Sequence, residues 1–376
     1  MRQKVAILID HYLPGFNYGG PVKTIVNLIN AFSDSYDFFI LTNNKDFKSS
    51  VMYPFINDVW IEKNKYKIMY LSKKQLNIRR IYDLLKNFDV VYTCGIYSKL
   101  NRLVIFNRKL RRVKRIFAPM GSFDEGAVNL KKIRKYTYIY LSRLLGVFND
   151  FIWSVSNDLE SDRVKHFLGT SAKIVIAQDI PDNVFLDNSS SKIEDSLSLV
   201  FISRISPKKN LLFAIKSLKN ISCKINFDIY GPIEDTGYWN QCLLAINSLP
   251  KNVIVHYKGV LMPQEVAATF SKYNAFYFPT LGENFGHVIF EALSVGCVPI
   301  ISDKTPWSDI QSYKAGLVCK LDFMEFERAI NFLCSMDHIA LKIYSYNSKN
   351  YAVNSYNSNI SSSGYHLLFG NENETD

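Results

Sequence analysis

The sequence predicts an α/β protein built from two doubly wound, Rossmann-like domains. Three observations lead there. The length, 376 residues, exceeds one ordinary core and suits two domains. Short apolar strands alternate with amphipathic helical stretches through both halves, the pattern of a parallel sheet covered on both faces. A polar break interrupts that alternation near the middle. With 48% hydrophobic and 21% charged residues the chain is not a disordered one.

In the first half, strands are expected at Val5–Ile9, Asp37–Thr42, Lys67–Leu71, Val90–Cys94, Ile116–Ala118, Phe151–Ser154 and Ile174–Ile176. A Gly/Pro loop, His11 to Gly20, follows the first strand, and Pro21 suits the first position of the next helix. The stretch Asp187-Asn-Ser-Ser-Ser-Lys-Ile-Glu-Asp195 lacks periodicity and reads as the interdomain linker. Further strands are expected at Leu199–Ser203, Lys224–Tyr230, Val253–Tyr257, Ala275–Phe278 and Val298–Ile301. The predicted organisation is an acceptor-side domain over 1–187, a ligand-binding domain over 196–340, and a helical segment over 341–369 packing back toward the first domain. Two such domains leave a cleft between their sheets, with ligands expected at strand carboxyl ends.

No run of about 18 apolar residues occurs, so no helix is expected to span a bilayer. The start, Met1-Arg-Gln-Lys before Val5, is too short for a signal peptide and reads as a strand, which predicts a cytoplasmic protein. The six cysteines (94, 223, 242, 297, 319 and 334) show neither CxxC nor Cys/His ligand spacing and are expected to be reduced, mostly core thiols.

The net charge is +11, and most of it is local. Between Lys99 and Lys135 lie twelve basic residues, Lys131, Lys132, Arg134 and Lys135 among them, against Asp124 and Glu125 alone. Tyr136, Tyr138, Ile139, Tyr140, Leu141, Leu144 and Leu145 follow directly. Basic residues beside an aromatic and aliphatic stretch suit a helix lying on an anionic membrane, expected here at the inner face of the plasma membrane. No nucleic-acid-binding motif accompanies them, so no nucleic-acid partner is expected.

Three segments carry chemistry. In Thr280-Leu-Gly-Glu-Asn-Phe-Gly-His-Val-Ile-Phe-Glu291, Glu283 falls in a loop after a strand and Glu291 within the helix that follows. The loop carboxylate is placed for a sugar hydroxyl and the helical one for ribose hydroxyls. The amides of Asn284, Phe285, Gly286, His287 and Val288 crowd the helix start, where the dipole favours a diphosphate. In Ser203-Arg-Ile-Ser-Pro-Lys-Lys209, Arg204 and Lys209 leave a strand's carboxyl end, where cations neutralise phosphoryl groups. Tyr18-Gly19-Gly20-Pro21 lets backbone amides approach the same phosphates, although it is no GxGxxG. Each segment also has a plain structural explanation: surface glutamates, exposed bases, a tight turn.

Together they resemble glycosyltransferase family 4, retaining enzymes of the GT-B fold that use nucleotide-sugar donors. The resemblance covers most of the chain; Ile229-Tyr-Gly-Pro232 and Tyr257-Lys-Gly-Val260 before Gln264-Glu265 add to it. It implies that Glu283 holds the transferred sugar, Glu291 the ribose, and Arg204 and Lys209 the diphosphate. Gly231 and Lys258–Val260 would border the base. The donor, UDP- or GDP-linked, would be a substrate, with no further cofactor. Many relatives carry a histidine where this chain has Ala118-Pro-Met-Gly-Ser122, leaving Gly121 and Ser122 only backbone or hydroxyl contacts, with His11 and His287 as other imidazoles. A subset of bacterial polysaccharide enzymes looks like this region, which implies a lipid-linked saccharide acceptor in capsule, O-antigen or exopolysaccharide synthesis. No DxD tripeptide or metal-ligand cluster is present, so the sequence requires no divalent ion. Two other readings stay open: a nucleotide-sugar 2-epimerase of the same layout, and a non-catalytic protein that binds anionic ligands.

Overall fold

The computed structural model of the chain describes residues 2–15, 17–72, 76–123, 132–361 and 363–370. It divides into two compact units, unit 1 from Met1–Ile180 with Asn359–Asp376, and unit 2 from Pro181–Ser358.

In unit 1 the strands are β1 (Gln3–Leu8), β2 (Tyr36–Asn43), β3 (Trp60–Glu62), β4 (Tyr66–Leu71), β5 (Val90–Cys94), β6 (Lys114–Ala118), β7 (Ile152–Val155) and β8 (Lys173–Ile176). They form one sheet in the order β3-β4-β2-β1-β5-β6-β7-β8. Every pairing is parallel except β3 with β4. Its helices are α1 (Gly20–Phe32), α2 (Ile78–Leu85), α3 (Lys99–Ile105), α4 (Lys132–Leu144) and α5 (Asp158–Leu168). The central strands are apolar on both faces because helices cover both: Val5 and Ile7 belong to one cluster, Ala6 and Leu8 to the other.

Unit 2 has β9 (Ser196–Ile202), β10 (Lys224–Tyr230), β11 (Val253–Gly259), β12 (Ala275–Phe278), β13 (Val298–Ser302) and β14 (Leu317–Cys319). The order β11-β10-β9-β12-β13-β14 is all parallel, so the sheet reverses direction of growth between β9 and β12. The helices are α6 (Leu211–Lys216), α7 (Thr236–Ile246), α8 (Val266–Phe270), α9 (His287–Ser294), α10 (Phe323–Cys334) and α11 (His338–Ser361). The chain then returns to unit 1 as α12 (Tyr365–Phe369), where Phe369 meets Tyr36, Phe38 and Tyr92 edge-on at 5.4, 6.0 and 5.7 Å. Fully burying one such ring is worth about 2–3 kcal/mol.

Two expectations fail here. The boundary falls after Ile180, so the polar stretch 187–195 is not a linker but part of unit 2. Its polar atoms are hydrogen-bonded into that unit: Asn188 Nδ2 donates to the Tyr273 and Gly296 carbonyls at 3.1 Å each, and Ser189 N to Ser271 O at 2.7 Å. Polarity there marks backbone satisfaction, not freedom. Second, the cysteines are not all reduced: Cys223 and Cys334 form a disulfide with a Cα–Cα distance of 6.6 Å. The pairing joins the start of β10 to the end of α10 across 111 residues, a proximity no local spacing reveals. Cys94, Cys242, Cys297 and Cys319 are free and buried, as expected. The sequence also gave no signal for the three-residue edge strands β3 and β14.

Asp179 lies half-buried at the end of unit 1, accepting a hydrogen bond from Thr24 Oγ1 at 3.0 Å. Burial first, and then the charge of Glu160, push its carboxyl from 3.8 up to about 7. The folded chain therefore holds a proton that the unfolded chain has released, and stability declines as pH rises from about 4 to about 7. Asp179→Asn should flatten that decline, a difference of up to about 4 kcal/mol between the two pH limits, measured by urea denaturation. Parallel wild-type and variant profiles would contradict it.

Candidate active site

Doubly wound sheets bind ligands where neighbouring strands send their connections to opposite faces. In unit 2 that point lies between β9 and β12, and the loops leaving these two strands carry Arg204, Lys209 and Glu283. Two bonds join these loops, and a third ties the loop after β12 to the segment after β13. Leu281 N donates to Lys208 O at 2.9 Å, Asn210 Nδ2 to Pro279 O at 2.9 Å, and Glu283 N to Lys304 O at 3.2 Å. Asn210 adopts φ 61°, ψ 36°, a left-handed conformation that asparagine tolerates, and this turns the chain from a 3₁₀ turn at Pro207–Lys209 into α6.

The result is a largely buried ion pair. Lys209 Nζ lies 2.6 Å from Glu283 Oε1, with the side chains 12% and 11% exposed. Thr280 Oγ1 donates to the same oxygen at 2.9 Å, and the Phe278 ring centroid lies 5.4 Å from the ammonium. Burial lowers the Lys209 pKa below the ordinary lysine value, Glu283 opposes the shift, and the charges of Lys208 and Arg204 reinforce it. Glu283 also lies against the start of α9: a Cβ on Gly286, the left-handed residue before the helix, would sit 3.4–3.5 Å from Glu283 Cβ and Cγ. No side chain caps that end, where the first N–H groups of a helix point outward with the positive end of its dipole. Glu291 is half-buried on α9, four residues after His287 and so on the same face.

Arg204 stands apart from the pair. Its Nη1 bonds both oxygens of Glu234 at 3.1 and 3.2 Å. Gly231 explains how the ends of β9 and β10 come so close. At φ +138° it approaches Ser203 so tightly that a Cβ would lie 1.9 Å from the Ser203 carbonyl oxygen. Its own carbonyl accepts from the Tyr257 hydroxyl at 3.0 Å.

Several expected binding groups are otherwise engaged. Phe285 is buried, packs on His287 and Trp307 at 4.8 and 5.2 Å, and gives its carbonyl to Trp307 Nε1 at 2.5 Å, so its side chain is a core anchor and not a ligand contact. His287 is buried beside it, and Val288 is partly buried against the core of unit 2. Lys258 Nζ lies 3.7 Å from Asp228, partway down β10. In unit 1, Gly19 precedes α1 at φ 73°, and a Cβ on Gly19 or Gly20 would meet open space. The Gly121 amide donates to the buried Glu160 of α5 at 2.8 Å, and the Ser122 hydroxyl donates to Pro119 O at 2.5 Å within the turn. His11 Nδ1 lies 2.9 Å from Lys45 O, and since a carbonyl only accepts, that nitrogen carries the proton.

Of the basic segment, Lys131 lies outside the described residues, and Lys132 is described in its backbone only, as the first residue of α4. Arg134 is exposed, and Lys135 Nζ sits 4.5 Å over the Tyr97 ring. Helix α4 turns an apolar stripe to solvent: Ile133, Tyr136, Tyr140, Leu141 and Leu144 are 82, 42, 67, 48 and 71% exposed. Their i, i+3, i+7, i+8, i+11 spacing puts them on one face. Among the described residues no helix is long and apolar enough to cross a membrane, and no group of three His, Cys, Asp or Glu side chains gathers as metal ligands.

The sequence reading missed Thr280, whose hydroxyl steadies Glu283, and Glu234, which holds Arg204. Thr280 begins a segment already singled out, and Glu234 lies two residues beyond another. The usable signal was a hydroxyl or carboxylate within a few residues of a charged group at a strand end.

With this geometry in place, comparison defines the class. Residues 184–350 match the profile of the family described as glycosyl transferases group 1. The whole chain shares its fold with sucrose-phosphate synthase from Thermosynechococcus elongatus (TM-score 0.74, 14% identity, 98% of this chain and 99% of that one). It is similar to Anabaena HepE in complex with UDP and glucose (0.68, 14%, 97% and 98%). It is also similar to WaaG, a glycosyltransferase involved in lipopolysaccharide biosynthesis (0.65, 12%, 98% and 100%). The architecture is therefore GT-B. No curated protein sequence matches the chain.

Gly231→Ala should destabilise the protein by about 3 kcal/mol, because both the close contact and the positive φ oppose a methyl group. Urea denaturation measures this. A cost below about 1 kcal/mol would show that the β9 and β10 ends separate easily.

Proposed function

We propose that the protein is a retaining glycosyltransferase of the family 4 kind, moving a sugar from a nucleotide-sugar donor to a saccharide acceptor carried on a lipid. The observation that carries this reading is the largely buried Lys209–Glu283 pair at the start of α9, at the point where the unit 2 sheet reverses. A glutamate in that position accepts hydrogen bonds from the hydroxyls of the transferred sugar. Lys209 and the helix start neutralise the diphosphate, and with it the charge that develops as the nucleoside diphosphate departs. Arg204, once it exchanges Glu234 for phosphate oxygens, adds a planar two-pronged contact. Glu291, one turn into α9, takes the ribose hydroxyls, and the backbone around Gly231 and Lys258–Val260 borders the base. No enzymic nucleophile is assigned; the departing phosphate accepts the acceptor's proton on the same face.

HepE binds UDP and glucose with the same fold, which supports a nucleotide-sugar donor. WaaG's part in lipopolysaccharide biosynthesis supports a lipid-linked acceptor in bacterial surface-polysaccharide assembly. The apolar, solvent-facing stripe of α4 beside Arg134, Lys135 and Arg143 supports contact with an anionic membrane surface, with the protein working from its cytoplasmic side.

In a radiolabelled-donor transfer assay, Glu283→Ala should lower turnover by about a hundredfold or more while the far-ultraviolet circular dichroism stays unchanged. Unchanged turnover would remove Glu283 from the reaction. The depressed Lys209 pKa gives a second expectation. Raising the pH removes the ammonium's charge below the usual lysine range, so donor KM should climb on the alkaline side. Lys209→Arg, which stays charged, should abolish that climb. The same alkaline rise in both proteins would contradict the role.

A further inference from the structure

Unit 1 holds a pocket of about 110 Å³ beside the carboxyl end of α4, large enough for more than one water-sized group. Its polar lining is Arg108, Arg111, Arg115 and Asp150, and its apolar lining includes Phe106 and Leu145. Arg115 stands near the amino end of β6, so the pocket belongs to the end of the sheet opposite the strand carboxyl ends. Its arginines belong to the basic run between Lys99 and Lys135.

The arginines outnumber their carboxylate. Arg111 Nε takes Asp150 Oδ2 at 2.7 Å, and Arg115 Nη2 reaches the same oxygen only at 3.4 Å. The Arg115 side chain is 3% exposed and its guanidinium carbon lies over the Phe151 ring, 4.4 Å from the centroid. Among the described residues Arg115 Nη2 has no hydrogen-bond acceptor. A buried guanidinium donor without an acceptor is costly unless an anion completes it. Arg108 and Arg111 are exposed at the mouth, so a ligand entering it meets two further guanidinium groups. Three planar forks converging on one small cavity suit a phosphate group, which offers several acceptor oxygens.

The rim indicates what carries that phosphate. Phe106 is 43% and Leu145 64% exposed, and Leu145 directly continues the solvent-facing stripe of Leu141 and Leu144 on α4. A free phosphate ion has no use for an apolar rim, whereas a phospholipid presents its headgroup phosphate next to acyl chains. We propose that this pocket takes the headgroup phosphate of an anionic phospholipid while Phe106, Leu145 and the α4 stripe sit at the acyl boundary. The proposal rests on the reading of α4 as membrane-facing and is independent of the sugar-transfer reaction.

Vesicle flotation of the full chain tests it, using equal parts phosphatidylcholine and phosphatidylglycerol against phosphatidylcholine with oleate matched in surface charge. Wild type should bind the phosphate-bearing vesicles at least about tenfold more tightly than the carboxylate-bearing ones. Arg108→Gln with Arg111→Gln should bring that ratio near one and weaken binding to phosphatidylglycerol by roughly thirtyfold. Lys109→Gln with Arg112→Gln, the same charge change outside the pocket, should weaken both lipids and keep the ratio. A wild-type ratio near one, or a ratio kept by the Arg108/Arg111 variant, overturns the pocket assignment while leaving the α4 reading intact. Absence of wild-type binding to either vesicle overturns the α4 reading and the lipid assignment together. Inorganic phosphate that raises the melting temperature of wild type but not of that variant would then identify the free ion as ligand.

Discussion

A lysine and a glutamate whose side chains are nearly covered, 2.6 Å apart, are an expensive thing for a fold to hold in place. Removing both charges from water costs several kcal/mol, and their attraction returns this only when geometry and further hydrogen bonds are good. Around Lys209 and Glu283 the supports are specific: the Thr280 hydroxyl on the carboxylate, the Phe278 ring under the ammonium, and backbone bonds from Leu281 and Glu283 fixing the loops. An ion pair is weak evidence of stability in itself, so a pair built with such support invites a functional explanation. The two charges are complementary to each other, and in the proposed reading each is also complementary to one part of a sugar diphosphate.

The position of that pair follows from strand order. Because β9 is flanked by β10 on one side and β12 on the other, the connections leaving β9 and β12 diverge and open a crevice at their carboxyl ends. Gly231 brings the β9 and β10 ends together, and Gly286 turns the chain into α9 beside Glu283. Unit 1 has an equivalent reversal between β1 and β5, but the groups near it are largely committed to each other. Asp10 accepts from Ser98, Glu160 from Gly121, and His11 faces the Lys45 carbonyl.

Strands with strong apolar runs were legible in the sequence nearly to the residue: Val90–Cys94, Lys224–Tyr230 and Ala275–Phe278 coincide with β5, β10 and β12. Burial on both faces leaves β5 and β12 few polar residues, whereas β10 shows the alternation of a strand with one covered face; both patterns are visible in a sequence. Lys209 and Glu283 were legible through their places after strand ends, although their contact across 74 residues was not. What stayed hidden depends on tertiary proximity. Cys223 meets Cys334 only once β10 and α10 are in place, and 187–195 looks like a linker until its partners on unit 2 are known. That the Phe285 side chain packs on His287 and Trp307 was not legible either, because a motif does not say which of its side chains face inward. The Arg115 pocket was invisible for the same reason, since a basic run reads alike whether its members are solvated or buried.

In the proposed reading, one largely buried cation and one carboxylate at the reversal of the unit 2 sheet receive an activated sugar. Thermal unfolding of wild type and Lys209→Met against a panel of UDP- and GDP-sugars tests it most directly, because a ligand bound only by the folded state raises the melting temperature by mass action. At least one donor should stabilise the wild-type protein and leave the variant unmoved. Stabilisation of both proteins alike, or of neither by any donor, would contradict the account.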